Sequence, residues 1–143
     1  MGATNSTTRP QVLKTSQNGS LTGITEANPT TGKPVLTRYT RIPYAQPPTG
    51  QRRWRRPQAL PKDHTFSLEN GEPGDYTEFG HVCPQPVYQH GSVVLPNPRA
   101  AAPIVRVPDE DCLFLNIWVP CGDVPEGGWP VQIFIRTFVS SHL

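Results

Sequence analysis

Glu110, Asp111 and Cys112 run directly into Leu-Phe-Leu-Asn-Ile-Trp-Val-Pro, and this junction of two acids and a thiol with an apolar run is where potential chemistry concentrates. Carboxylates at the mouth of a buried strand must be paired, hydrogen-bonded or protonated, because an unpaired buried charge costs several kcal/mol, comparable to the whole margin of folding. The sulfurs offer a different chemistry. Cys83, Cys112 and Cys121 leave an odd thiol whichever pair forms. Cys83 and Cys112 sit where a disulfide would tie the end of a long loop to its base, and closing about thirty residues in this way contributes about 3.5 kcal/mol in the chain-entropy model. His81, Cys83, His90 and Cys112 resemble a set of metal ligands only in type, since their spacing fits no structural zinc pattern and the surrounding prolines favour a disulfide loop. Ser92 follows His90-Gly91 without a base at any recognisable spacing, and His142 is too near the terminus to be held as one. The chain contains no Gly-x-Ser-x-Gly elbow, no Gly-rich phosphate loop and no Cys-x-x-Cys. No catalytic, cofactor-binding or metal-ligating residue is therefore assigned.

The elements that must position these groups are mainly strands. From Leu113 to Val119 only Asn116 is polar, which predicts a strand covered on both faces, and Trp129–Ile135 predicts a second buried strand with its proline tolerated at the start. Upstream, the turn residues Asn18-Gly19 precede alternating Leu21, Gly23 and Ile24, and a second turn through Asn28-Pro29 and Thr31-Gly32 leads into Val35–Ile42. This is the pattern of a short antiparallel hairpin. Residues Met1–Gln17 form a flexible or strand-forming leader whose only apolar pair is Val12-Leu13. From Pro43 to Pro61 repeated prolines prevent helix and remove ladder donors, giving an ordered connector. Arg52, Arg53, Arg55 and Arg56 surround Trp54 there. Such a cluster can mark nuclear import or nucleic-acid binding, but in a nearly neutral chain the preferred reading is arginines paired with carboxylates and Trp54 packed inward. Lys62–Val107 reads as successive loops.

Composition sets the outer bounds. The chain has 143 residues, enough for one domain, yet only 35% are hydrophobic, and 18 Pro with 12 Gly favour strands and long loops over helices. A formal net charge of +2 is too small to imply a nucleic-acid or membrane partner. The polar first twenty residues lack an apolar secretory core, and no later run is long enough to span a bilayer, so the chain read literally is cytoplasmic, while a disulfide-capable pair suits a secreted protein, and compartment is left unknown. Met1–Ser6 fits a loose myristoylation pattern, and Asn5 and Asn18 begin glycosylation sequons relevant only to a secreted chain. The unmodified reading is preferred for both.

Five blocks together carry a family resemblance. They are Gly19-Ser20-Leu21-Thr22-Gly23; Arg41-Ile42-Pro43-Tyr44-Ala45 with Pro47-Pro48-x-Gly50-x-x-Arg53-Trp54-x-x-Pro57; Phe79-Gly80-x-x-Cys83-Pro84-Gln85; Glu110–Pro120; and Trp129–Ile135. In these the chain resembles the N-terminal part of the type-B carboxylesterase and cholinesterase family, most of all its fungal members. Arg41 stands where the family usually has glycine. The resemblance implies residues 1–17 as leader, 18–135 as family region and 136–143 as a non-family tail. It also implies an α/β class: an incomplete α/β-hydrolase fold, with an N-terminal hairpin, the first strands of the central sheet and a long disulfide-closed loop, mostly strand and coil.

The same resemblance implies that Cys83 pairs with Cys112, leaving Cys121 as the free thiol, and that Arg53 forms a salt bridge with Glu110. Choline-selective relatives place a tryptophan in the disulfide loop, whereas the only aromatic there is Tyr88, which gives choline selectivity no support. After Ile135 the family continues with His-Gly-Gly and later supplies a serine, an acid and a histidine. Here the chain reads Arg136-Thr137-Phe138 instead. A truncated family protein is the expected identity, with an ester as the small-molecule substrate of the complete family and no hydrolysis by this chain alone. The alternative is a non-catalytic adhesion or binding module of the same fold. Oligomeric state is not legible.

Overall fold

The computed structural model describes residues 8–84 and 108–135. His90, Ser92, Tyr88, the tail after Ile135 and the modification patterns of the first six residues lie outside them. Five strands form one sheet: β1 (Thr8–Lys14), β2 (Ser20–Ala27), β3 (Pro34–Pro43), β4 (Gly74–Asp75) and β5 (Phe114–Pro120). The order β1-β2-β3-β5 is antiparallel throughout, while β4 lies parallel to the start of β2, with Leu21 opposite Gly74. Among the described residues the helical content is one 3-10 turn at Gly50–Arg52.

Local chemistry accounts for the two hairpins. Gly19 takes φ +78 in the β1–β2 turn, where its carbonyl accepts hydrogen bonds from the Thr15 amide (2.9 Å) and the Thr15 hydroxyl (2.7 Å). A side chain at Gly19 would also meet Thr65 and Ser67, so conformation and space both select glycine. In the β2–β3 turn the Asn28 carboxamide accepts from the Thr30 and Thr31 amides at 2.8 and 3.1 Å, and Gly32 donates back to the Asn28 carbonyl. This is an Asx-type turn closed by a left-handed glycine. The expected hairpin is present, and of the two states expected for the leader the strand is formed over Thr8–Lys14.

β3 and β5 are joined through a bulge. Tyr39 faces Ile117 and Ile42 faces Leu115, so Thr40 and Arg41 together oppose Asn116 alone. Arg41 takes φ +56, and its amide donates to the Asn116 side-chain oxygen at 3.1 Å. The one polar residue of the apolar run thus satisfies the donor that the bulge removes from the ladder. The extra residue also returns Ile42 to the face of Tyr39. With Leu21 they make the buried cluster, against which Phe66, Tyr76 and Val119 pack. Thr40 is fully buried, and its hydroxyl donates to the Tyr76 carbonyl at 3.0 Å. Buried Thr25 and Thr37 hydrogen-bond across β2 and β3 at 2.9 Å.

Two expectations about burial are corrected. β5 is a strand but not a buried one: Leu115, Ile117 and Trp118 are exposed, because β5 is the outermost strand and no described strand pairs with its outer edge. Trp129–Ile135 is not a strand, and Phe134 is 83% exposed. An extended segment becomes a strand only when a neighbour takes its backbone donors and acceptors, and no described strand lies beside this one.

Candidate functional site

The entrance to β5 is built by three segments that meet there. The first is the proline-rich connector after β3, whose ends are drawn together by the Gln46 amide donating to the Gln58 carbonyl (2.9 Å) and the Gln46 carboxamide donating to the Ala59 carbonyl (2.8 Å). Within it the 3-10 turn is pinned by Arg52 Nε on the Pro47 carbonyl at 2.7 Å. Directly after the turn Arg53 extends toward Glu110. The second segment ends at Cys83, and the third is Pro108–Leu113.

Arg53 meets Glu110 as a two-toothed fork: Nε lies 2.6 Å from Oε1, and Nη2 donates to Oε2 at 2.7 Å. This geometry matches the planar guanidinium to the carboxylate. The hydrogen bond and the charge of Glu110 raise the Arg53 pKa above its ordinary value. The side chains are 52% and 36% exposed, however, so the acid expected at a buried mouth is a surface partner, open to screening by salt. Cys83 and Cys112 form a disulfide with Cα atoms 5.1 Å apart. Beside it the Asp109 amide donates to the Val82 carbonyl at 3.0 Å, and Val82 bridges Pro108. The Asp111 amide is taken by the Asp109 carboxylate at 2.8 Å. A covalent, an ionic and a backbone tie therefore converge within four successive residues, Asp109–Cys112.

Trp54 departs from the inward packing expected of it. It takes a left-handed φ of +61 and is 96% exposed. Arg53 itself has an extended backbone, with φ −58 and ψ 136, and the left-handed residue is the one after it.

Two further features were not anticipated from sequence. On one sheet face Arg38 Nε pairs with Glu26 at 2.9 Å, its Nη1 donates to the Thr77 carbonyl, and its guanidinium lies 5.3 Å from the Phe79 ring centre. The hairpin register contained that signal, since it places Arg38 opposite Ile24, diagonal to Glu26. On the other face an open concavity of about 520 Å³ is lined by Arg9, Thr25, Thr37, Val119, Cys121 and Trp129, among others. Cys121 is a free, half-buried thiol 3.7 Å from the Thr37 hydroxyl. Among the described residues no three His, Cys, Asp or Glu side chains form a metal-binding group. The site can clamp, and no described group in it is arranged as nucleophile and base.

Comparison with known proteins agrees with this architecture. The model of the carboxylesterase family matches residues 9–137, beginning inside the segment read as a leader. An uncharacterized esterase/lipase of Schizosaccharomyces pombe is 42% identical over 128 residues, covering 90% of this chain and 21% of the relative. A carboxylic ester hydrolase of Gibberella moniliformis is 42% identical over 105 residues, covering 73% of this chain and 17% of the relative. Among solved structures a thermophilic pNB esterase superposes with a TM-score of 0.51 at 29% identity, covering 80% of this chain and 19% of the other. The chain spans about a fifth of the length of these relatives. With the family match running over most of its length, and the hairpin, the strand β5 and the disulfide in place, the chain belongs to the carboxylesterase family.

Proposed function

We propose that this chain is a scaffold segment of a carboxylic-ester hydrolase, which sets the edge of the sheet and clamps the entrance to β5 while others of the protein's residues perform the chemistry. The observation that carries the reading is the convergence of Arg53–Glu110 and Cys83–Cys112 on one turn, in a sequence with no Gly-x-Ser-x-Gly. Ester hydrolysis through an acyl-enzyme needs an activated hydroxyl, a base to take its proton and donors for the oxyanion. Loss of a single oxyanion donor already costs about 10²–10³ in rate, and loss of the nucleophile and base costs far more. The substrate class of the whole protein is a carboxylic ester, and this segment supplies rigidity to the site that binds it.

A fluorophosphonate, which modifies activated serines covalently, tests this. The purified 143-residue chain is expected to keep its unmodified mass after incubation with the reagent. Stoichiometric labelling of one serine would overturn the scaffold reading.

A further inference from the structure

The clamp joins two ties of different chemistry on residues two apart. Glu110 is held by Arg53, and Cys112 by Cys83, so that the ionic pair and the disulfide both fix the same short stretch, Glu110–Cys112. Cys83 is exposed and accessible to a reductant, and among the described residues the backbone also ties this point, through Val82 with Pro108 and Asp109 and through the Tyr44 amide on the Leu113 carbonyl at 3.2 Å. When the disulfide is open, the chance that the two sulfurs meet depends on how well the remaining ties hold Pro108–Leu113 against Val82-Cys83. That chance is an effective concentration, and any contact that pre-positions the sulfurs raises it.

We propose that Arg53 and Glu110 are positioning residues for the Cys83–Cys112 bond, so that the charge pair sets how readily the disulfide is reduced and re-formed. The step is ordinary thiol–disulfide exchange with a dithiol reductant. One thiolate of the reductant attacks the exposed Cys83 sulfur, and the Cys112 sulfur leaves as a thiolate and takes up a proton. The second thiol of the reductant then displaces Cys83, so one cyclic disulfide is formed for each protein disulfide reduced, two electrons passing to the protein. Arg53–Glu110 takes no part in the exchange. It biases the balance because it holds the reduced chain in the geometry the bond requires, and by reciprocity the closed disulfide strengthens the ion pair by the same factor.

The size follows from the exposure of the pair. A solvent-exposed ion pair with good bidentate geometry changes such an equilibrium by about two- to fivefold. The test is a redox titration of the full 143-residue chain in dithiothreitol buffers of set ratio, a neutral reductant that salt does not screen, with alkylation and mass measurement of the Cys83 and Cys112 thiols. In low salt Glu110→Gln and Arg53→Ala each require about two- to fivefold less dithiothreitol for half-reduction, and the exchanged pair Arg53→Glu with Glu110→Arg recovers the wild-type midpoint. Raising the salt to about 1 M, where the Debye length falls to about 3 Å, moves the wild type to the midpoint of the single variants and leaves theirs in place. A wild-type midpoint that ignores salt overturns the proposal without recourse to any variant. A Glu110→Gln shift that is equal in low and high salt also overturns it, since it would show a packing role for the side chain rather than a charge.

Discussion

Arg41 shows how one residue can carry a cost that its neighbours reduce. It sits at φ +56 at the bulge between β3 and β5, where its amide is satisfied by Asn116 and its guanidinium donates to the Asp75 carbonyl at 3.2 Å. A left-handed backbone costs a residue with a side chain about 1 kcal/mol or more, which glycine avoids. Arg41→Gly is therefore expected to raise the free energy of unfolding in urea by about 1 kcal/mol, less the small contribution of the Asp75 contact. Thr40 beside it acts in the opposite sense. Thr40→Val keeps the shape but removes the buried hydroxyl's bond to Tyr76, a loss of about 1 kcal/mol in the same assay. Nearby, the Thr77 hydroxyl and amide hold the Asp75 carboxyl below its usual pKa range. A depressed folded pKa gives stability that is present above the unfolded aspartate's value and lost as pH falls through the folded one. Thr77→Val removes the hydroxyl's share, so unfolding measured across an acid pH series should show a smaller loss of stability from neutral to acid pH than in the wild type. The sequence made Arg41 conspicuous as a departure from glycine, but the reason lies in Asn116, 75 positions away, and pairings at that distance leave no local periodicity to read.

At the scale of elements, what was legible depended on whether an element carries its own partner. The β2–β3 hairpin does, since its turn residues and both strands lie within one short stretch, and β5 is marked by a run of apolar residues long enough to force a strand. β4 was invisible because it is two residues long and exists through its parallel pairing with β2. Trp129–Ile135 has the composition of a strand and no ladder beside it, so composition alone over-reads it. β5 itself has an open edge among the described residues, and from Leu113 to Pro120 it has no charge. Uncharged open edges invite pairing with another chain, and natural sheets block this with lysine. Ile117→Lys should lower the self-association of the purified chain seen by light scattering, with little change in stability, because Ile117 is already 42% exposed and the lysine stem covers the same surface.

For the whole molecule the balance of buried and exposed surface is the governing fact. Only Leu21, Tyr39, Ile42 and Ala45 are buried hydrophobics among the described residues, while Val131, Ile133, Phe134 and Ile135 are each at least 80% exposed. A sheet with so small a core relies on its ties, which is why the disulfide and the turn hydrogen bonds weigh heavily here. A staple between Cys83 and Cys112 was suggested by their place at the end and base of a long loop, whereas the Arg53–Glu110 pair came only through the family resemblance, because sequence supplies the residues of an ion pair without the turn that aims them. Its exposure was missed because burial was inferred from the apolar run it precedes. In the proposed function this segment supports an esterase site and holds none of the reacting groups. Hydrolysis of a short-chain p-nitrophenyl ester by the purified 143-residue chain, followed by absorbance, tests it most directly. The expected rate is that of buffer with an equal mass of an inert protein, and a saturable, protein-dependent rate abolished by a serine-directed reagent would contradict the account.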